Sequence, residues 1–259
     1  MLGMVFGAFL LAMILGLPMA VAMGLATFIP QAVNSSFPGN MNYIVQGMIG
    51  GLNTTPILAI PLFMLSGARM TRGGISKKLF DIFAYIAGKK TAGVPCAVVV
   101  TCLFYGAISG SGPATAAAVG AMCIPILVEL GYDKVFSAAI VASAGGLGVI
   151  IPPSIPFIMY ALFTQESVGD MFTAGIIPGC LIAATIMFYC WFYCKRHGED
   201  KAKIAENYAR LKKRGFIRVF IDGFWAVLTP VIILGGIYGG YVTPTEAACI
   251  SVFYAILVS

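Results

Sequence analysis

The residues best placed to do chemistry lie in two breaks within long apolar stretches. The first break is Ser109-Gly110-Ser111-Gly112-Pro113, and the second is Ile150-Ile151-Pro152-Pro153-Ser154. In hydrocarbon, backbone groups that are freed from a helix cost several kcal/mol each unless a partner satisfies them. Such backbone is tolerated where it lines a cavity and binds an ion or a substrate. The two breaks therefore predict a binding site within the membrane.

At the first break, Pro113 suits the first position of a helix that returns through the membrane. The free N–H groups at the start of such a helix favour an anion. Hydroxyl groups add donors and acceptors there, so we predict substrate binding by Ser109, Ser111 and Thr115. Carbonyl groups of both breaks are ligands for a hard cation such as Na⁺. The predicted sodium ligands are Ser109, Gly110, Gly112, Gly146, Pro152, Pro153 and Ser154.

Other uses of these breaks stay open at the level of sequence. Small residues also allow close helix packing, as in a scaffold that transports nothing. An intramembrane hydrolase would use Ser109 or Ser111, but no Gly-x-Ser-x-Gly spelling occurs and the lone His197 lies in a basic segment. Residues 91–128 and 135–165 hold no acidic side chain, which disfavours an aspartyl pair and a proton relay. We predict that the chain is not an enzyme and that Na⁺ is the coupling ion.

The composition is that of an integral membrane protein. Of 259 residues, 59% are hydrophobic and 10% are charged, and the mean hydropathy is +0.94; soluble domains carry about 25% charged residues. These values exclude a soluble enzyme, a disordered chain and a nucleic-acid-binding module. Residues 195–218 contain nine Lys/Arg and three Asp/Glu, which equals the whole net charge of +6. The positive-inside rule makes this segment a cytoplasmic loop.

The lengths of the apolar stretches predict how the breaks are positioned. As one helix, the uncharged residues 91–128 would be roughly 57 Å long, about twice the hydrocarbon core. The stretch must therefore turn back at the first break, which predicts a helical hairpin over 92–128. A helix over 134–164 is broken by Pro152 and Pro153. A further span is predicted over 171–194.

Residues 71–90 read as an amphipathic helix. Leu79, Phe80, Phe83 and Ile86 recur at helical spacing with charges between them, and Ser76 is a candidate cap for the helix start. Such a helix lies either in the membrane surface or as a short linker in the cytoplasm.

The two ends of the sequence look alike. Residues 1–33 are apolar around Gly16-Leu17-Pro18, which fits one kinked helix or two short helices, and residues 34–53 are predicted as a polar, glycine-rich loop. Near the other end, Thr243, Pro244 and Glu246 form a capping box with the favoured proline. Apolar stretches flank the turn in both places, which indicates the start of a second copy of the N-terminal unit.

Six segments, in order along essentially the whole chain, carry a resemblance to a known family. They are PLFMLSGARMTRGGI (61–75), GAISGSGPATAAAVG (106–120), IIPPSIPFIMYA (150–161), GIIPG (175–179), PVIILGG (230–236) and TPTEAA (243–248). In these segments the sequence resembles the large membrane subunit, called DctM-like, of tripartite ATP-independent periplasmic (TRAP) transporters.

The resemblance implies an all-α, polytopic integral membrane protein of elevator type with two inverted repeats. Each repeat has scaffold helices, an interfacial arm helix, a re-entrant helical hairpin and a broken helix. On this basis 1–70 would be the scaffold helices of repeat one, 71–90 the arm helix and 91–194 the transport elements. Residues 219–259 would begin repeat two. Because family members are longer, we expect the chain to be truncated at its C-terminus.

The resemblance also implies a function and its partners. The family takes up a small organic acid anion, such as a dicarboxylate, sialic acid or another sugar acid, and Na⁺ drives the uptake. A periplasmic binding protein delivers the anion, a small membrane subunit braces the scaffold, and the whole lies among the lipids of the bacterial inner membrane. No further cofactor and no nucleic acid is implied. Another ion-coupled transporter or an exporter without a binding protein stays open as the alternative.

Overall fold

The computed structural model describes residues 2–33 and 41–258, and these residues are folded into helices and short turns. Chain contacts divide the protein into two units, Met1–Thr54 and Thr55–Ser259. The helices are α1 Leu2–Ile14, α2 Met19–Val33, α3 Met41–Leu52, α4 Ala59–Arg72, α5 Ile75–Ala87, α6 Gly93–Ser109, α7 Gly112–Glu129, α8 Lys134–Gly145, α9 Leu147–Ile150, α10 Ile155–Thr164, α11 Val168–His197, α12 Lys201–Arg214, α13 Phe216–Tyr238 and α14 Pro244–Val258.

The first unit is built on two short helices rather than one kinked helix. The N–H of Leu17 closes the turn on the Ala12 carbonyl at 3.1 Å, and Gly16 adopts a positive φ of 77° between α1 and α2. Small side chains such as Ala22 and Ala26 are buried in this unit. Close approach of backbones through small residues is how apolar helices pack when lipid surrounds them.

The loop predicted over residues 34–53 is corrected over most of its length. Residues 41–52 form the helix α3, while residues 34–40 lie outside the described part of the chain. The apolar residues Ile44, Val45, Met48, Ile49 and Leu52 recur at helical spacing. The glycines between them suggested a loop, but the period of the apolar side chains decides the structure here.

Four helical segments of the described residues are long and apolar enough to cross a membrane. They are Gly112–Glu129, Lys134–Thr164, Val168–His197 and Phe216–Tyr238. The span predicted over 171–194 thus lies within α11, and the chain is a multi-pass membrane protein. Residues 54–70 comprise the 3-10 turn Thr55–Leu58 and most of α4, which is about 21 Å long.

The hairpin and the broken helix run side by side. α6 and α7 are joined by only two residues and pack against each other, and α8 packs on both of them. The helical segment Lys134–Thr164 is interrupted after α9, and α10 continues beyond the interruption. About 17 residues separate each break from the turn that joins α7 to α8, so at 1.5 Å per residue both breaks lie at a similar height.

The amphipathic segment 71–90 contains α5, which packs along α6 and α13. Leu79 and Phe80 are buried, and the ring of Phe83 lies 5.1 Å from that of Phe104, whereas Ile86 is exposed. Ser76 is not the cap that we predicted. The cap position is two residues earlier, at Gly74 in the left-handed region at φ 67°, and Ser76 is buried in the first turn of the helix.

The basic segment 195–218, predicted as a cytoplasmic loop between spans, is itself largely helical. Its cytoplasmic location stays a prediction. Lys195–His197 form the last turn of α11, and α12 begins after Asp200, whose side chain accepts the Lys203 N–H at 3.2 Å. Ile204, Tyr208 and Leu211 give α12 an apolar face at helical spacing, and that face packs on α5.

The start of α14 was predicted correctly. Glu246 accepts the Thr243 N–H at 2.7 Å, and the Thr243 hydroxyl accepts the Glu246 N–H at 3.3 Å, so both halves of the capping box are formed. α14 packs closely on α4, where the Ser66 hydroxyl donates to the Ser251 carbonyl at 3.0 Å. The small residues along this contact let the two helices approach.

Glu199 ties the two ends of the hairpin to the end of α11. Its carboxylate accepts the Ala92 N–H at 3.0 and 3.1 Å and the Tyr132 hydroxyl at 2.5 Å. Burial, and then the hydrogen bond to Glu199, raise the pKa of Tyr132, which keeps this phenol a donor. Ala92 precedes α6 and Tyr132 follows α7, so the hairpin leaves on the side on which it enters.

Removing this carboxylate should loosen the base of the hairpin. We expect Glu199→Ala to lower the thermal midpoint of the purified protein by about 5 °C or more, because two buried donors lose a charged acceptor. Glu206→Ala is the matched control, since Glu206 is an exposed glutamate on α12. Equal midpoints for the two variants in a detergent thermal-unfolding assay would contradict a structural role for Glu199.

Candidate functional site between the two breaks

The tip of the hairpin is a two-residue turn with an uncapped helix start. Gly110 lies in the left-handed region at φ 64°, and its N–H donates to the Gly106 carbonyl at 2.8 Å to close α6. Ser111 is extended and precedes α7, but its side chain makes no capping hydrogen bond. Pro113 is the second residue of α7 rather than the first that we predicted. The N–H groups at the start of α7 therefore lack a side-chain acceptor.

Three oxygen atoms converge at this tip. The Ser109 and Thr115 hydroxyl oxygens lie 2.9 Å apart, the Thr115 hydroxyl donates to the Ser111 carbonyl at 2.8 Å, and the Ser109 hydroxyl lies 3.3 Å from that carbonyl. We call these atoms the oxygen triangle. Ser109 and Thr115 are buried. All three residues were predicted to bind substrate, and their oxygens are close enough for one ion to reach all of them.

The second break meets the tip directly. The Ile155 N–H donates to the Gly110 carbonyl at 3.3 Å, and a Cβ added to Gly110 would lie 2.8 Å from the Pro153 carbonyl oxygen. Pro152, Pro153 and Ser154 are buried. The structure thus brings together the two breaks that the sequence singled out, although they are 40 residues apart in the chain.

Ser154 stabilises the second break through two hydrogen bonds of its hydroxyl group. Its hydroxyl donates to the Val149 carbonyl at 2.5 Å and accepts the Phe157 N–H at 3.3 Å. It therefore caps α10 and closes the turn from α9. Sodium binding by Ser154 stays a prediction, and an ion would have to replace one of these two hydrogen bonds.

Sequence reasoning missed two glycines that hold the breaks together. A Cβ on Gly106 would lie 2.5 Å from the Gly148 Cα, so these two backbones are in direct contact. A Cβ on Gly148 would lie 2.9 Å from the Ser111 carbonyl oxygen and closer still to the Thr115 hydroxyl. The available signal was the run Gly145-Gly146-x-Gly148 just before the prolines, of which we selected only Gly146.

Gly112 and Gly146 also meet at this interface. A Cβ on Gly112 would lie 3.3 Å from the Gly145 carbonyl oxygen and 3.8 Å from the Gly146 Cα. Gly146 itself is exposed, and its N–H donates to the Ser143 carbonyl at 3.2 Å. Of the predicted sodium ligands, Gly110 thus meets Pro153 and Gly112 meets Gly146, which lies at the exposed edge of this interface.

An open cavity of about 540 Å³ lies beside the tip, between α4 and the hairpin. Ser109 and Ser111 line it from the hairpin, together with Tyr105, and Thr71 and Arg72 line it from α4. The Thr71 and Tyr105 hydroxyl groups are in contact across the cavity. Small organic molecules fit cavities of this size, so a ligand in it would reach the serine residues of the tip.

The chemistry available at the two breaks is that of neutral oxygen ligands. Within residues 2–33 and 41–258, no three His, Cys, Asp or Glu side chains are grouped so as to hold a metal ion. The oxygen triangle instead offers two hydroxyls and a carbonyl, which are ligands of hard, weakly bound cations. Hydroxyl groups and uncapped N–H groups beside them are donors for an anion.

Known proteins resemble this chain along nearly its whole length. The sequence model of the family described as "Tripartite ATP-independent periplasmic transporter, DctM component" matches residues 6–259. The "Isethionate TRAP transporter permease protein DctMQ" of Oleidesulfovibrio alaskensis is 41% identical over 99% of this chain and 39% of its own length. The "C4-dicarboxylate TRAP transporter large permease protein DctM" of Pseudomonas aeruginosa is 41% identical over 78% of this chain and 46% of its own length.

The name of a third relative contains a different solute. The "Ectoine TRAP transporter large permease protein TeaC" of Halomonas elongata is 33% identical over 95% of this chain and 56% of its own length. The chain thus spans about half the length of these relatives. Their names describe transporter permeases, which agrees with the prediction that the chain is not an enzyme. The match to the family model covers the hairpin, the broken helix and the contact between them, so the chain belongs to the DctM component family of tripartite ATP-independent periplasmic transporters.

Proposed function

We propose that this chain forms part of the translocation path of a Na⁺-coupled importer of small organic acid anions in the bacterial inner membrane. A periplasmic binding protein would deliver the anion, and a small membrane subunit would brace the permease. The observation that supports this proposal best is the oxygen triangle of Ser109, Ser111 and Thr115, which lies where the two breaks meet. The family to which the chain belongs supports transport with a periplasmic partner.

The solutes of the relatives support an acid as the substrate. Isethionate carries a sulfonate, C4-dicarboxylates carry two carboxylates and ectoine carries one. The feature common to the three is an anionic acid group. Uncapped N–H groups at the start of α7, next to the Ser111 hydroxyl, offer donors to such a group.

In the proposed mechanism, Na⁺ is taken up together with the anion. The two hydroxyls and the carbonyl of the triangle would contribute to the Na⁺ site, and carbonyls of the second break would complete it. Because the breaks are packed backbone to backbone through Gly106 and Gly148, the hairpin and the broken helix would move as one body. They would slide against a scaffold that includes α4, α13 and α14.

Reconstitution of the complete permease tests this proposal. The complete reading frame, purified with its small subunit, would be placed in liposomes and supplied with its binding protein and labelled succinate, isethionate or ectoine. We expect uptake of at least one of these solutes to require an inward Na⁺ gradient and to stop when a Na⁺ ionophore dissipates it.

Three results would contradict parts of this proposal. Equal uptake with a K⁺ gradient in place of Na⁺ would contradict sodium coupling. Uptake that is independent of the binding protein would favour the alternative, an ion-coupled transporter of a different kind. A permease that takes up none of the three solutes under any gradient would contradict the organic-acid proposal.

A further inference from the structure

We propose that Arg72 is the residue that binds the acid group of the substrate, in the cavity between α4 and the hairpin. This inference rests on the proposed function, because it names the counter-charge for the anion that the permease would import. Arg72 lies outside both breaks and would bind the substrate from α4, the wall of the cavity opposite the hairpin tip.

The position of Arg72 is the first argument. It is the last residue of α4 and lines the cavity together with Thr71, while Ser109 and Ser111 line it from the hairpin tip. A volume of about 540 Å³ leaves room for a small dicarboxylate or sulfonate together with water. The ligand would then lie between a cation on one wall and hydroxyl groups on the other.

The second argument is that Arg72 has no partner of its own. In the described part of the chain, no hydrogen bond or ion pair joins its side chain to another residue, and no acidic residue lines this cavity. Arg69, one turn earlier on α4, does take part in an interaction within the protein and does not line the cavity. The Arg72 side chain is exposed at the open cavity, and a guanidinium with no partner is suited to a two-pronged contact with carboxylate or sulfonate oxygens.

The third argument is the positive end of α7. Ala114, in the first turn of α7, also lines the cavity, and Ser111 leaves the first N–H groups of this helix without a side-chain acceptor. The helix dipole and these donors favour negative charge at the same place. Arg72 and the start of α7 thus favour an anion from two different elements.

Transport kinetics of single substitutions test the assignment in the complete permease with its small subunit and binding protein. For succinate and isethionate, we expect Arg72→Gln to raise KM about 10- to 100-fold, as for the loss of a charge-assisted contact. The Na⁺ concentration for half-maximal uptake should stay unchanged, because the oxygen triangle is intact. Arg72→Lys should give a smaller rise in KM than Arg72→Gln, since lysine keeps the positive charge but lacks the paired N–H donors of the guanidinium.

The matched control is Arg69→Gln, which removes the same charge three residues earlier on the same helix. It should leave KM for both solutes within about twofold of the unmodified protein, as expected for a charge outside the site. An unchanged KM in Arg72→Gln, or an equal rise in Arg69→Gln, would overturn the assignment of Arg72 while leaving the proposed function standing. If the unmodified permease takes up neither solute, the proposed function fails and the inference fails with it.

Chemical protection in the unmodified permease covers the case in which Arg72→Gln does not fold. Phenylglyoxal modifies exposed arginine side chains, and mass spectrometry locates the product. Succinate should slow modification of Arg72 and leave modification of Arg196, an exposed arginine at the end of α11, unaffected. Modification of Arg72 at the same rate with and without saturating succinate would contradict the inference.

Discussion

Replacing Gly148 with alanine should weaken Na⁺ binding by the permease about 10-fold or more and destabilise it by about 1–3 kcal/mol. The new Cβ would stand 2.9 Å from the Ser111 carbonyl oxygen and closer still to the Thr115 hydroxyl. Both atoms belong to the oxygen triangle, and the Ser111 carbonyl is fixed by the start of α7. The methyl group would therefore push the triangle apart. The rise in the thermal midpoint with increasing NaCl, at constant ionic strength, reports the change.

Two comparisons separate the loss of the site from general damage. Gly235→Ala adds the same methyl group to α13, where nothing lies within 4 Å of the new Cβ, so the Na⁺ response should be unchanged. Thr115→Val removes a single oxygen of the triangle and nearly preserves the volume, so it should also weaken the Na⁺ response. A normal Na⁺ response in Gly148→Ala would show that the ion binds somewhere other than the triangle.

The position of both breaks could be predicted from the sequence because lipid limits the length of a span and requires its backbone groups to be hydrogen-bonded. An uncharged stretch of residues 91–128 is too long for one crossing, and only Gly, Ser and Pro offer a place to turn. The turn falls at Gly110-Ser111, inside the segment that was predicted. Likewise, Pro152 and Pro153 end one helix and Ser154 starts the next. Local backbone chemistry alone decides these features.

The contacts between the breaks could not be predicted in the same way. Gly148 looks like any other glycine in a run of small residues, and only the fold shows that Gly106 and Thr115 approach it. Arg72 reads in the sequence as the basic end of a span, and its place in a cavity depends on how α4 packs on α6. Sequence patterns predict individual helices and turns, whereas the roles of Gly148 and Arg72 depend on contacts between helices that are distant in the chain.

The helix within the basic segment was not predicted for a related reason. α12 carries six of the nine basic residues of segment 195–218, and their charge served only to place a loop between spans. Its apolar face is narrow because α12 packs mainly against α5 and α13, so most of the helix surface is free to be charged. Composition is a poor guide to secondary structure outside the membrane, where backbone groups can bond to water instead.

The close packing of the two breaks leads to a testable expectation about how the hairpin and the broken helix move. If the hairpin and the broken helix move as one body, a covalent link between that body and the scaffold should stop transport without disturbing the ion site. α11 packs on α6, α9 and α10 and would move with them. Gly169 at the start of α11 and Ile237 near the end of α13 are therefore suited to such a link. A Cβ on Gly169 would lie 3.9 Å from the Ile237 Cγ2, so the side chains at these two positions would be in contact, and a disulfide needs such neighbours. Neither residue lies at the breaks or in the cavity beside them.

We expect the double variant Gly169→Cys/Ile237→Cys to lose nearly all uptake on oxidation and to regain it on reduction. The exposed Cys180 and Cys249 would first be replaced by serine to avoid other pairings. Na⁺-dependent stabilisation should persist in the oxidised protein, because the oxygen triangle is untouched. The control Gly236→Cys/Val242→Cys links the end of α13 to the turn that follows it, where a Cβ on Gly236 would lie 2.8 Å from the Val242 Cγ2, and it should leave uptake intact. Full uptake by the oxidised Gly169–Ile237 protein would mean that α11 and α13 keep their contact throughout transport, and the proposed rigid-body movement would then be wrong.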